Sequence, residues 1–130
     1  AINGSSAALM LSGLPFEGPI GAVRLAFSQE GTWIPHPTYE EGDESTFEIV
    51  VAGRAAGDDI AIMMVEAGGT EKAVEYYDGG APKVTEDVLA GGLEAAKTWI
   101  GESIDLQIEK MAVENEMTEE TPDDEEKDED

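Results

Sequence analysis

Arg24 and Arg54 are the side chains in this sequence best suited to chemistry, because only seven basic residues stand among thirty acids. The pattern places Arg24 on a strand and Arg54 just after another, so the two guanidinium groups could converge on a phosphate with bidentate geometry. With Asp58 nearby, the pair could also hold a phosphorylated small molecule. The plainer reading is surface pairing with the abundant carboxylates. Asp58 with Asp59, and Asp43 with Glu44, could supply oxygen ligands to Mg²⁺. Adjacent acids arise from composition alone in so acidic a chain, and no metal ligand is assigned. His36 is the single histidine and has no serine or cysteine partner at a useful spacing, so an acid–base role is not expected. Trp33 could stack a base, but its place in a hairpin favours sheet packing. One histidine and no cysteine rule out a zinc set.

Gly18-Pro19-Ile20-Gly21 has neither the spacing nor the strand–helix context of a phosphate-binding loop, and reads as a turn that delivers a strand. The elements around these residues follow from periodicity. Asn3, Ser5 or Ser6 caps a short helix through Ala7–Leu11 that Gly13 and Pro15 end. Ala22–Phe27 alternates, with Val23, Leu25 and Phe27 on one face, and Gln29-Glu30-Gly31 turns the chain into Thr32–Ile34. Glu40–Ser45 is a polar connection, and Thr46–Ala52 is a strand with Phe47, Ile49 and Val51 on one side. Gly53–Asp59 then links to Ile60–Val65, whose near-continuous apolar run predicts a strand covered on both faces, with Met63 and Met64 as packing groups. Thr70–Tyr77 reads as a short helix or a strand. Thr85 caps a long helix whose stripe runs Leu89, Leu93, Ala96, Ile100, Ile104, Ile108 and Met111. Its glycines, Gly91, Gly92 and Gly101, require packing to hold it. The sum is an α+β, two-layer arrangement of about four strands backed by helices.

Composition bounds the partners. The formal charge is -23, and it is not a tail effect alone: residues 115–130 hold ten acids and one lysine, yet the preceding part still holds twenty acids against six bases. Such a surface disfavours non-specific binding to nucleic acid or anionic membrane. No apolar run is long enough to cross a bilayer, so a cytoplasmic protein without membrane contact is expected. The apolar pattern fades near Glu114, which predicts a domain over residues 1–112 and a disordered acidic tail over 113–130. The opening stretch Ala1–Leu25 reads as the interior of something larger.

Specific residues carry a family resemblance. Ile2-Asn3-Gly4-Ser5-Ser6-Ala7-Ala8-Leu9, Ser12-Gly13-Leu14-Pro15-Phe16 and Gly18-Pro19-Ile20-Gly21-Ala22-Val23-Arg24 resemble the first ribonuclease-PH-like domain of bacterial polynucleotide phosphorylase. Phe47–Gly53, Ile60–Ala67 and the helix containing Gly92-Leu93-Glu94-Ala95-Ala96-Lys97 continue the match across residues 1–112, with an actinobacterial cast in Gly53–Asp59 and Thr70–Pro82. The resemblance implies the later half of a domain of the ribosomal-protein-S5-domain-2-like type, and an ancestry in phosphate-dependent 3′-to-5′ RNA degradation assisted by a divalent metal. It implies Mg²⁺ and phosphate as requirements of the parent family, with RNA met only in the parent context. The family's phosphate-binding serines and metal-binding aspartates belong to its second domain, so no catalytic residue, metal ligand or cofactor is assigned to this chain. Arg24 and Arg54 remain as phosphate or RNA contacts. A scaffold or ring-contact role, inactive alone, is expected, with a homo-oligomer or the remainder of the parent enzyme as partner. A standalone structural or interaction domain is the alternative. Self-association is expected through Phe27, Phe47 or the long helix.

Overall fold

The computed structural model describes residues 1–119. The element order is α1 (Ile2–Leu11), β1 (Gly21–Phe27), β2 (Trp33–Pro35), α2 (Tyr39–Asp43), β3 (Phe47–Ala56), β4 (Asp59–Gly69), α3 (Ala73–Asp78) and α4 (Glu86–Glu119). The strands form one antiparallel sheet in the order β2-β1-β3-β4. This is the α+β, two-layer fold expected from the sequence, with α4 laid across one face of the sheet.

The core follows from strand alternation meeting helical periodicity. Val23, Leu25, Ile49 and Val51 point from β1 and β3 toward Ala96, Ile100 and Ile104 of α4, and all seven are buried. Full burial of each large aliphatic side chain contributes about 1.5–3 kcal/mol, so this small cluster is the main source of stability. Two glycines let the layers approach. A Cβ on Gly21 would lie 2.5 Å from the Ile100 carbonyl oxygen, and one on Gly92 would lie 2.6 Å from Cε2 of the Trp33 indole. The Trp33 ring occupies the Gly92 notch, tilts against Phe27 at 4.8 Å, and donates its N–H to the Val88 carbonyl at 3.2 Å. Packing does hold the glycine-containing helix, as the sequence requires. Thr85 caps it, its hydroxyl oxygen accepting from the Val88 N–H at 3.3 Å.

Several boundaries differ from expectation. Helix α1 begins at Ile2 without a side-chain cap, because Asn3 and Ser6 are used in tertiary hydrogen bonds instead. The polar connection over 40–45 contains α2, held by a capping box in which Thr38 and Glu41 satisfy each other's backbone N–H groups. Residues 73–78 are helical. The link over 53–59 is largely strand: β3 runs to Ala56 and turns at Gly57 (φ 62) and Asp58 into β4. Strand β4 is an edge strand, with Met63 57% and Val65 44% exposed, so it is not covered on both faces. Helix α4 continues through Glu119, which makes residues 113–119 helical where an unstructured tail was expected. Glutamate, methionine and alanine are good helix formers, and an acidic run extends a helix already nucleated by packing. The rest of that tail lies outside the described residues.

Candidate functional site

The face of the sheet away from α4 carries the chemistry-bearing residues. Residues directly opposite in antiparallel pairs share a face, so the register groups Arg24 with Val50 and Glu66, and Ala26 with Glu48. Helix α2 closes one end of this face, where Gly42 is buried against the Glu48 carboxylate. Beyond it lies an open cleft of ≈ 610 Å³ lined by Arg24, His36, Thr38, Asp43, Glu48 and Glu71, among others.

Arg24 donates from Nη1 to Glu48 Oε2 at 3.1 Å, with its side chain 55% exposed. Its charge is therefore partly answered, and the cleft it enters holds three carboxylates. Arg54 lies on β3 rather than after it, four residues beyond Val50, the cross-strand partner of Arg24. At a strand rise of about 3.3 Å that is roughly 13 Å along the sheet. Arg24 leans toward Glu48, at the opposite end from Arg54, so the two guanidinium groups do not meet. Arg54 is exposed and makes no ion pair among the described residues. The separation arises because Gly53–Ala56 extends the strand where the sequence pattern places a loop.

The other candidates take structural roles. His36 is exposed with φ 50, donates its backbone N–H to the Arg24 carbonyl at 3.0 Å, and sets its ring edge-on to Trp99. Asp58 sits in the β3–β4 turn. Asp59 accepts from the Ile60 N–H at 2.8 Å and pairs with Lys97 at 3.2 Å. The Ile60 N–H and then Lys97 hold the Asp59 carboxyl below its ordinary value, while hydrogen bonds to Glu94 and Asp59 raise Lys97. Among the described residues no group of three histidine, aspartate or glutamate side chains comes together to hold a metal ion. Among the described residues there is thus no carboxylate set of the kind that holds Mg²⁺.

A polar network that the sequence analysis missed positions this face. The Asn3 amide donates to the Ala22 carbonyl at 3.0 Å and accepts from the Ala22 N–H at 2.7 Å. It thereby stands in for a strand partner on the part of β1 that β2 does not reach. Ser103 donates to the same Asn3 oxygen at 3.0 Å. Ser6 donates to Gln107 Oε1 at 2.6 Å and accepts from the Ile20 N–H at 2.8 Å, while Gln107 donates to the Ile20 carbonyl at 2.9 Å. Both polar residues are buried, and among the described residues no buried side-chain polar atom lacks a partner. The network fastens the Gly18–Gly21 turn between α1 and α4, which is the strand-delivering role expected of it. The sequence signal was present as asparagine and serine in the first helix, but these also read as caps.

No family model matches the chain. Curated relatives do. The chain is 49% identical over 122 residues to the polyribonucleotide nucleotidyltransferase of Saccharopolyspora erythraea, covering 94% of this chain and 16% of that protein. It is 55% identical over 101 residues to that of Acidothermus cellulolyticus, covering 77% of this chain and 13% of the relative. With that of Salinispora arenicola it shares 54% identity over 114 residues, which is 87% of this chain and 14% of the relative. The chain spans about a sixth or less of the length of these relatives. No described helix is long and apolar enough to cross a membrane.

Proposed function

We propose that this chain, homologous over most of its length to a segment of the actinobacterial polyribonucleotide nucleotidyltransferases, acts as a scaffold portion of such an enzyme and is inactive alone. The observation that carries this reading is identity near one half across 77–94% of the chain. In the parent reaction inorganic phosphate attacks the 3′-terminal phosphodiester, the bond to the preceding 3′ oxygen breaks, and a nucleoside diphosphate leaves. The core here supports a role in holding surfaces in place rather than in that displacement. Its polar side chains are spent on the network around Asn3, Ser6 and Gln107, and its cleft is acidic. Arg54, exposed and without an ion pair among the described residues, is the side chain we assign to RNA or phosphate contact in the assembled enzyme, with Arg24 as a second contact that Glu48 partly neutralises. Mg²⁺ and phosphate are bound elsewhere in the parent, and the setting is cytoplasmic.

The test has two arms. The purified chain, mixed with polyadenylate, phosphate and Mg²⁺, releases no ADP above background; robust release overturns the claim of inactivity. Residues 1–112 exchanged into the matching segment of the Saccharopolyspora erythraea enzyme preserve its phosphorolysis and oligomeric state. Loss of both in a folded chimera overturns the scaffold reading. A self-standing interaction domain is favoured by the fully satisfied core, and an encoding frame no longer than this chain would select it.

A further inference from the structure

The amide of Asn3 fastens α1 to the sheet. Its Nδ2 donates to the Ala22 carbonyl at 3.0 Å, while Oδ1 accepts from the Ala22 N–H at 2.7 Å and from the Ser103 hydroxyl at 3.0 Å. The residue that follows it is Gly4. Asparagine before glycine is the pairing in which a main-chain nitrogen most readily attacks the side-chain amide. No β-carbon shields that nitrogen, and the glycine backbone turns freely. Packing among the described residues does not ask for glycine here, since a Cβ on Gly4 would meet nothing within 4 Å. Helix propensity does not ask for it either.

The reaction balances with water alone. The Gly4 nitrogen gives its proton to solvent base and bonds to Asn3 Cγ. The Cγ–Nδ2 bond breaks, and Nδ2 takes a proton from water and leaves as ammonia. A water molecule then opens the cyclic imide. Opening at Cγ leaves aspartate, and opening at the main-chain carbonyl leaves isoaspartate, whose main chain is longer by a methylene.

The docked fold opposes the first step. Attack needs Asn3 to leave helical ψ and its Cγ to swing over the Gly4 nitrogen. Both are blocked while α1 is helical from Ile2 and the amide is held on Ala22 and Ser103. One turn further on, Ser6 ties the same helix to Ile20 and Gln107. The products oppose redocking. A carboxylate at position 3 has no N–H for the Ala22 carbonyl and sets an oxygen against it. An acid in the first turn favours the helix as such, but less than an orphaned carbonyl facing a carboxylate disfavours its docking. Isoaspartate also lengthens the turn that the Ser5 N–H closes on the Ala1 carbonyl at 2.9 Å. We infer that Asn3-Gly4 is a deamidation site gated by α1: the amide survives while the helix is docked, is lost when it detaches, and its loss keeps the helix detached. The inference rests on contacts within the chain and does not depend on the scaffold reading.

The full chain is incubated at mildly alkaline pH, native and in urea, and amide loss is followed by released ammonia and by peptide mass mapping. Asn115, which precedes Glu116, is the internal comparison. Loss at Asn3 should be at least about tenfold faster in urea than in the native chain, because the folded site reacts only through its open population. Gly4→Ala should slow the loss in urea without lowering the thermal melt. Ser103→Ala should speed native loss about fivefold, the factor for one hydrogen bond between α1 and α4, and leave the urea rate unchanged. Asn3→Asp should hasten hydrogen exchange at the Ile20 and Ala22 N–H groups while exchange at Val51 in the core stays as it was. Unchanged exchange at Val51 also certifies that Ser103→Ala has left the core intact. Equal native and urea rates at Asn3, no loss there in urea, or a native rate that Ser103→Ala does not move overturns the proposal. Exchange at Ile20 and Ala22 that Asn3→Asp leaves unchanged overturns it too.

Discussion

The two faces of the sheet are built from the same strands and treated in opposite ways. On one, Val23, Leu25, Ile49 and Val51 are sealed under α4. On the other, Arg24 and Glu66 are exposed and Val50 is half-buried, while the small Ala26 and Ala52 are buried between them and α2 covers the Glu48 end. A single helical layer can bury one side, and the register decides which residues are sealed and which are available. Stability and interaction are therefore encoded at alternate positions of the same segment.

Truncation breaks the comparison most severely. Ile100 is fully buried at the centre of the helix–sheet interface. Ile100→Ala is expected to cost about 2–5 kcal/mol in urea unfolding, whereas Val50→Ala on the open face should cost less than about 1 kcal/mol. Equal losses would mean that the open face is covered in solution.

Adjacent glycines in α4 offer a finer version of the contrast. Gly92 faces the Trp33 indole, while a Cβ on Gly91 meets nothing within 4 Å. Gly92→Ala should destabilise by about 1–3 kcal/mol, since the indole is pinned by its bond to Val88 and cannot move aside freely. Gly91→Ala should stabilise by about 0.8–1 kcal/mol through helix propensity alone. Opposite signs in thermal melts, with Trp fluorescence shifted only by the first variant, would confirm that the notch and not the helix demands glycine.

These contrasts mark what the sequence makes legible. Alternation through Val23, Leu25 and Phe27 and the 3.6-residue stripe through Ile100 are local signals, and they predicted the core. The Thr38-to-Glu41 spacing is also that of a capping box, yet the segment read as a polar connection because its glycine and acids masked the short helix. Edge position is different. The apolar run of β4 looks the same whether a strand is central or peripheral, because pairing partners are chosen by topology. Likewise Ser6 and Gln107 stand 101 positions apart, so their bond exists only after the layers dock. The convergence expected of Arg24 and Arg54 failed for a related reason: Arg54-Ala55-Ala56 carries no hydrophobic alternation, so the strand extension that separates the arginines left no periodic trace.

The smallest expected effect concerns the rim that joins β4 to α4. Asp59 is held below its ordinary value by the Ile60 N–H and by Lys97. Its contribution to stability is therefore fully present above its unfolded value near pH 4 and is lost as pH falls through the lower folded value. Lys97 is raised, so its part persists below its unfolded value near pH 10 and is lost only at higher pH. Acidification also relieves the repulsion among the other carboxylates, which pushes overall stability the opposite way. The informative quantity is thus the difference between wild type and Asp59→Asn, a variant that keeps an oxygen for the Ile60 N–H while removing the charge. That difference should be small and favour wild type between about pH 6 and 9, and should shrink as pH falls below about 4 and on through the lower folded value. A difference that stays constant through the acid range would show that the charge on Asp59, and with it the pairing with Lys97, does not fasten this edge to the helix.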